Sequence, residues 1–299
     1  MGIVPTAAAA AMALALMAPA ALAQAPAPAS PPPQAQVIKP VKPDLYMVVG
    51  GGGNTTVRVT PAGLIVIDSK LPGQAFYDDL MAQIRTVSPQ PVKYLVITHH
   101  HVDHSGNTGR FLAAGAKAVA HKNLPGELDK FVPPANNPTL TAPAKPDTVY
   151  DTRFTISLGG KTVRLMHFAP AHTDADTVVW FPDLKVVAMG DELNAVNPNF
   201  DYAGGASIAG WLTSLDETLK LDWDKAIPGH GPDPFTRDQV KAFRGKLATL
   251  LDRARAEVKA GAPKDQFIAK LKTDDLWPFP ANFWNAVRTD GLWAEAGGK

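Results

Sequence analysis

Short apolar runs, turn residues and stretches of helical period alternate along this chain, the pattern of a layered α/β protein. Leu45 to Val49, Thr55 to Val59 and Leu64 to Ile67 are predicted strands, separated by the glycines Gly50–Gly53 and by Pro61-Ala62-Gly63. Between Gly73 and Val87, apolar residues fall at Phe76, Leu80, Met81, Ile84 and Val87, which is helical spacing. Val92 to Ile97 follows as a buried strand, then a short helix over Gly106 to Ala114 and a strand over Ala116 to Ala120. A Pro-rich segment from Pro125 to Pro146 is long for a connection and reads equally as a site lid or a surface insertion. Strand patterns resume at Phe154–Leu158, Thr162–Phe168, Thr177–Phe181 and Lys185–Met189, and Ser207–Leu221 and Arg237–Lys259 are predicted helices. Trp277, Phe279, Phe283, Trp284 and Trp293 should pack a final helix onto the core.

Composition narrows the picture. The chain has 299 residues, 45% of them hydrophobic, enough for a large packed core. A formal net charge of +1 gives no basic surface for nucleic acid or anionic membrane, so a small-molecule substrate is expected. Cysteine is absent, which removes disulfides, thiolate nucleophiles and sulfur ligands together. Ala7 to Leu16 is an apolar run too short to span a bilayer, and it leads to the small-residue site Ala21-Leu22-Ala23. Residues 1–23 therefore read as a signal peptide, although no Lys or Arg precedes the run, and the mature protein is expected to be periplasmic or secreted with no integral membrane segment. Residues 24–43, dominated by Pro and Ala, read as an extended linker that cannot pair as a sheet. The folded domain is expected over 44–299, with a helical extension from about 237; the sequence leaves oligomeric state open.

The chemistry is concentrated in Thr98-His99-His100-His101-Val102-Asp103-His104. Imidazole nitrogens and carboxylate oxygens are zinc ligands, and the H-x-H-x-D-H spacing can supply two metals from one strand-end loop. His172, Asp191 and His230 also follow predicted strands, in Pro170-Ala171-His172-Thr173, Met189-Gly190-Asp191 and Pro228-Gly229-His230-Gly231. A lone His or Asp in such a place is ordinarily a turn or capping residue. The whole set at successive strand ends points instead to one edge of a sheet.

These four segments, spread over about residues 44 to 236, resemble the metallo-β-lactamase superfamily of αββα-sandwich hydrolases, whose fold is two mixed sheets flanked by helices. The resemblance implies that His99, His101 and His172 hold one zinc, that Asp103, His104 and His230 hold a second, and that Asp191 bridges the two, giving two Zn2+ per chain. Some β-lactam-destroying members carry Cys at the bridging position, where this chain has Asp191. The implied chemistry is a hydroxide between the metals opening a carbonyl bond of a β-lactam or another cyclic amide or ester, with Asp103 orienting it and passing a proton to the leaving group. Phosphodiester or sulfate-ester hydrolysis on the same site, or a non-catalytic periplasmic zinc-binding role, are the competing readings. Around this centre, Asp68 is either a carboxylate that fixes a ligand imidazole or a helix cap. His100 should pack away from the metals, His121 and His167 should be structural, and Asp174 and Asp176 should be solvated loop carboxylates. Gly50–Gly53 should form a flexible hairpin near the site, and one of Asn194, Asn197, Asn199 and Tyr202 should donate a hydrogen bond to a developing oxyanion.

Overall fold

Seven strands form one sheet in strictly sequential order: β1 (Val37–Lys42), β2 (Leu45–Val49), β3 (Thr55–Thr60), β4 (Gly63–Ile67), β5 (Val92–Val96), β6 (Lys117–His121) and β7 (Thr148–Tyr150). β1 to β4 pair antiparallel and β4 to β7 parallel. A second sheet has the order β12-β11-β10-β9-β8, built from β8 (Arg153–Leu158), β9 (Lys161–Met166), β10 (Val178–Phe181), β11 (Val186–Ala188) and β12 (Lys225–Ile227), with only β11 and β12 parallel. The computed structural model describes residues 1–2, 35–135 and 137–298. The expected signal peptide and the linker as far as residue 34 therefore lie, apart from the first two residues, outside the described residues.

The strand sequences explain the layering. Ile65 and Ile67 of β4 face one side and Leu64 and Val66 the other, so the run is apolar throughout because both faces are covered. Ile65, Ile67, Val96 and Val119 meet Val163, Leu165, Val179, Phe181 and Ile227 of the second sheet in the central layer. Leu64, Val66, Leu95 and Ala118 pack outward against α1 (Gln74–Arg85), α3 (Thr108–Ala113) and α4 (Leu124–Asp129) through Leu80, Ile84, Phe111 and Leu124. On the opposite side, Val178, Val187 and Ala226 lie under α5 (Ile208–Lys220) and α6 (Arg237–Lys259). Thr236 and Gln239 form a capping box at the start of α6, and its buried face is Val240, Phe243, Leu247, Leu250, Leu251 and Ala254. The result is the expected αββα sandwich.

One expectation needs correction and two are refined. Residues 37–42 are not linker: β1 pairs with β2, and Gln36 donates its backbone N–H to Asp79 and its side-chain amide to the Phe76 carbonyl. Pro40 is tolerated because β1 is an edge strand whose register shifts between Pro40 and Lys42. The Pro-rich segment begins within α4, and its residues Glu127 to Pro134 wall the cleft described below, so this part is not a remote insertion. The terminal aromatics do pack on the core, with Phe200 between Trp211, Phe283 and Trp284, behind a last helix, α8 (Ala286–Glu295). Among the described residues, no helix is long and apolar enough to cross a membrane.

Candidate metal centre

All seven expected ligands arrive from strand ends at one edge of the sandwich. The loop after β5 carries His99 and His101, and the single turn α2 (Val102–Ser105) that follows presents Asp103 and His104. His172, Asp191 and His230 follow β9, β11 and β12, so the two sheets contribute to the centre together. His99, His101 and His172 each offer a nitrogen within 4.8 Å of the others, and so do the polar atoms of Asp103, His104 and His230. Asp191 lies between the groups: its Oδ1 is 3.2 Å from His104 Nε2 and 3.4 Å from His230 Nε2, while Oδ2 is 3.8 Å from His172 Nε2. Gly229 is required here by close approach, since a Cβ would stand 1.9 Å from Asp191 Oδ1. Asn54 anchors the same loop by donating its amide to the Pro228 and Gly231 carbonyls.

Hydrogen bonds outside the cluster set the imidazole tautomers. His104 Nδ1 lies 2.8 Å from Asp68 Oδ2 and donates to it, so Nε2 is the nitrogen turned into the centre. The Thr98 hydroxyl donates to the same carboxylate oxygen at 2.8 Å and therefore accepts from His99 Nδ1 at 3.1 Å, leaving His99 Nε2 bare. His172 Nδ1 donates to the Asn199 carbonyl at 2.7 Å, and His101 Nε2 donates to Asp201 Oδ2 at 2.9 Å. Four imidazoles thus turn their second ring nitrogen inward. His172 Nε2 and His101 Nδ1 stand 3.0 Å apart, two acceptors with no proton to share. His99 Nε2 and Asp191 Oδ1 are buried without a hydrogen-bond partner. Orphaned buried acceptors in such numbers are costly unless a cation joins them, so the residues present fit metal ions well.

The electrostatics agree. Burial opposes charge on His104, yet Asp191, Asp103 and Asp68 outweigh it and hold its imidazole well above the usual range. Asp103 is held at about 2, its burial penalty overcome by His104 and His230. Burial, reinforced by His104 and His172, drives His99 well below the usual imidazole value. Carboxylates in this quantity call for positive charge at the centre, which metal ions provide.

Asp68 resolves to the imidazole-fixing role: it binds His104 and the Thr98 backbone N–H and hydroxyl rather than capping a helix. His100 does not pack away. Its Nε2 is 3.3 Å from Asp201 Oδ2 and it lines the cleft, because the loop after β5 no longer alternates like a strand. Asp176 is buried rather than solvated, accepting from the Thr173 N–H and hydroxyl at 2.8 Å each, and Asp174 holds the Asn123 amide. His121 and His167 stack on each other at 3.9 Å, a structural pair. Gly50–Gly53 is pressed onto the metal loop, with the Gly53 N–H donating to the Asp103 carbonyl at 3.1 Å. Of the four polar candidates after Asp191, Asn199 alone borders the cleft; the Tyr202 hydroxyl is taken by Glu295 and Asn194 lies beside the Val196 N–H. Asp201 is the residue that sequence reasoning missed. Its only signal is its place in the loop after Asp191, and nothing in its spacing ties it to His101, 100 residues earlier.

The cleft over these groups has a volume of ≈ 570 Å³ and is walled by Leu128, Phe131, Val132 and Pro134, with Asp103, His100 and His101 at its polar side. Comparisons with known proteins bear on what this site belongs to. The 2,4-dinitroanisole O-demethylase subunit alpha of a Nocardioides species is 25% identical over 74% of this chain, and the linear primary-alkylsulfatase of a Pseudomonas species is 23% identical over 71%. The alignments span 66% and 48% of those two proteins, so this chain covers about two thirds of one and about half of the other. The solved metallo-beta-lactamase of Pontibacter korlensis has the same fold, with a TM-score of 0.60 at 18% identity over 71% of this chain and 99% of that one. The family model of the metallo-beta-lactamase superfamily matches residues 48–230, a stretch that runs from β2 to His230 and exceeds half of the sequence. The chain belongs to the metallo-beta-lactamase superfamily, whose members are metallo-hydrolases.

Proposed function

We propose that this protein is an exported hydrolase that holds two zinc ions and opens the carbonyl bond of a small amide or ester, β-lactams and lactones included. The observation that carries this reading is the set of four imidazoles, each with one N–H fixed outward and its other ring nitrogen turned into the centre beside Asp103 and Asp191. His99, His101 and His172 would hold one ion and Asp103, His104 and His230 the other, with Asp191 between. Zinc in such a place supplies Lewis acidity and lowers the pKa of water toward neutrality. The protein's own part is to orient and to move a proton. Asp103 is ionised, borders the cleft and is the group placed to carry a proton to a leaving nitrogen or oxygen. Leu128, Phe131 and Val132 exclude water from one side of the substrate.

Sulfate-ester hydrolysis is the second reading, favoured by the similarity to a linear primary-alkylsulfatase and by the apolar wall, which suits an alkyl chain. Export rests on the apolar run Ala7–Leu16 and the Ala21-Leu22-Ala23 site. The test is elemental analysis of the purified protein followed by a turnover screen of β-lactams, lactones, thioesters, phosphodiesters and alkyl sulfates. Two zinc equivalents with chelator-sensitive turnover of a carbonyl substrate are expected. Turnover confined to alkyl sulfates selects the second reading, and chelator-resistant activity overturns both.

A further inference from the structure

A second cavity of ≈ 270 Å³ adjoins the cleft over Asp103, and both are lined by His101, Asn199, Asp201 and Ala203. The second cavity is also lined by Asn285, Val287 and Arg288 of the C-terminal extension, beyond the family-matched residues 48–230. Arg58, Arg244 and Arg253 each pair with a carboxylate, Asp183, Asp216 and Asp275 respectively. Arg288, like Arg237, pairs with none, but it alone of these two lines a cavity beside the centre. Its Nη1 donates to the Phe283 carbonyl at 2.9 Å, its Nη2 to Asn199 Oδ1 at 2.7 Å, and its guanidinium lies over the Phe283 ring at 4.7 Å. Among the described residues no carboxylate comes within ion-pair distance of it, and its Nε is buried without a partner. Burial disfavours its charge, offset in part by the more distant Asp201. It also sits in the first turn of the ten-residue α8, where the helix dipole adds positive potential rather than cancelling it. Lys130, the cation of the larger cavity, is already neutralised by Glu127 at 2.6 Å.

We infer that Arg288 is a specificity-determining residue that recognises an anionic group of the substrate, so that the protein takes amphiphilic monoanions with the apolar body against Leu128, Phe131 and Val132 and the anion beside Arg288. The inference rests on the hydrolase reading only in calling the ligand a substrate. Its placement puts a pocket wall in a segment beyond the family-matched residues 48–230: the centre supplies reactivity, and α8 supplies selection. Carboxylate and sulfate share the required chemistry, a planar or tetrahedral oxyanion that a guanidinium can grip through two N–H groups.

Binding is measured by calorimetry on the metal-loaded full chain, with hexanoate, hexyl sulfate and hexanamide as probes, for the wild type, Arg288→Met and Arg288→Lys. At least one anion should bind the wild type about tenfold more tightly than hexanamide, the size of one charge-assisted contact, and Arg288→Met should remove that margin while hexanamide binding stays. Which anion gains more identifies the headgroup. An equal margin in Arg288→Met, or no margin in the wild type, overturns the inference. Metal content is measured in each variant, because Arg288 touches Asn199 and Asn199 holds His172. If Arg288→Met loses metal, Arg288→Lys decides: a retained anion margin supports the inference and a lost margin sinks it. The readout needs no turnover, so failure here leaves the hydrolase reading intact, and failure of turnover leaves this result interpretable.

Discussion

Asp68 steers two of the centre's histidines with one carboxylate, His104 directly and His99 through the Thr98 hydroxyl. It does so from a left-handed backbone conformation (φ 65), a strain of about 1–2 kcal/mol for a non-glycine residue, which the fold retains because those bonds require it. Asp201 performs the corresponding service for His101, and the two roles next to the metal separate by experiment. Asp201→Ala frees the His101 tautomer and should weaken metal affinity about 10- to 100-fold, read by competition with a chromophoric chelator, while the folded structure persists. Asp103→Asn should leave the fold intact and cut turnover by about a hundredfold or more even when metal is resupplied, because it removes the proton carrier; wild-type kcat in the loaded variant would falsify that role. A third residue carries a pH signature. Burial depresses the Lys70 ammonium to about 7, although its Nζ donates to the Val48 and Gly53 carbonyls. Between about pH 7 and the ordinary lysine value, the unfolded chain binds the proton that the folded chain has lost, so this residue makes stability rise with pH across that window and fall as pH drops through 7. Denaturant midpoints measured from pH 7 to 10 should climb less in Lys70→Met than in the wild type, and identical slopes would dismiss the effect. The clustering of the candidate ligands was legible because H-x-H-x-D-H and strand-end His are local patterns. Asp201, Arg288 and the buried Asp176 were not, since each is defined by a partner far along the chain or by burial that no period announces.

At the scale of elements, the strands and long helices followed from apolar spacing, and the errors fell where a local rule met a tertiary exception. Pro40 reads as a sheet breaker, yet β1 pairs because an edge strand does not need every N–H. The three-residue strands β7 and β12 are too short to carry a period and are held by the neighbours they add to, whereas β11 lies within the predicted strand Lys185–Met189. The loop after β12 shows how tightly an element's end is specified. Gly229→Ala would drive a methyl into Asp191 Oδ1 and the Gly190 backbone, so it should reduce metal stoichiometry to one or fewer, checked by elemental analysis of the folded variant. The buried face of α6 is a contrasting case, remote in chemistry from the centre. Leu247→Ala should cost about 2–5 kcal/mol by equilibrium denaturation with metal content unchanged, since it opens a cavity in the outer helix layer only.

For the whole molecule, the decisive fact is that the two sheets share the centre, one giving His99, His101, Asp103 and His104 and the other His172, Asp191 and His230. A cation gripped from both sides ties the sheets together, whereas its removal leaves Asp68, Asp103 and Asp191 crowded in one buried place. Chelation should therefore lower the melting temperature: metal free at about a hundredfold its Kd contributes about 2.7 kcal/mol, which corresponds to roughly 4–5 °C for a chain of this size. An unchanged melting temperature after verified metal loss would show that the apolar layers alone set stability. The same arrangement governs how the protein is made. Because the candidate ligands run from residue 99 to residue 230, a chain emerging from the ribosome or a membrane channel owns four of the seven until the second sheet begins to form, and lacks His230 until β12 is in place. Loading is thus a late event in biosynthesis, and the compartment in which the last third of the chain folds is the one whose metal supply decides what the finished protein contains.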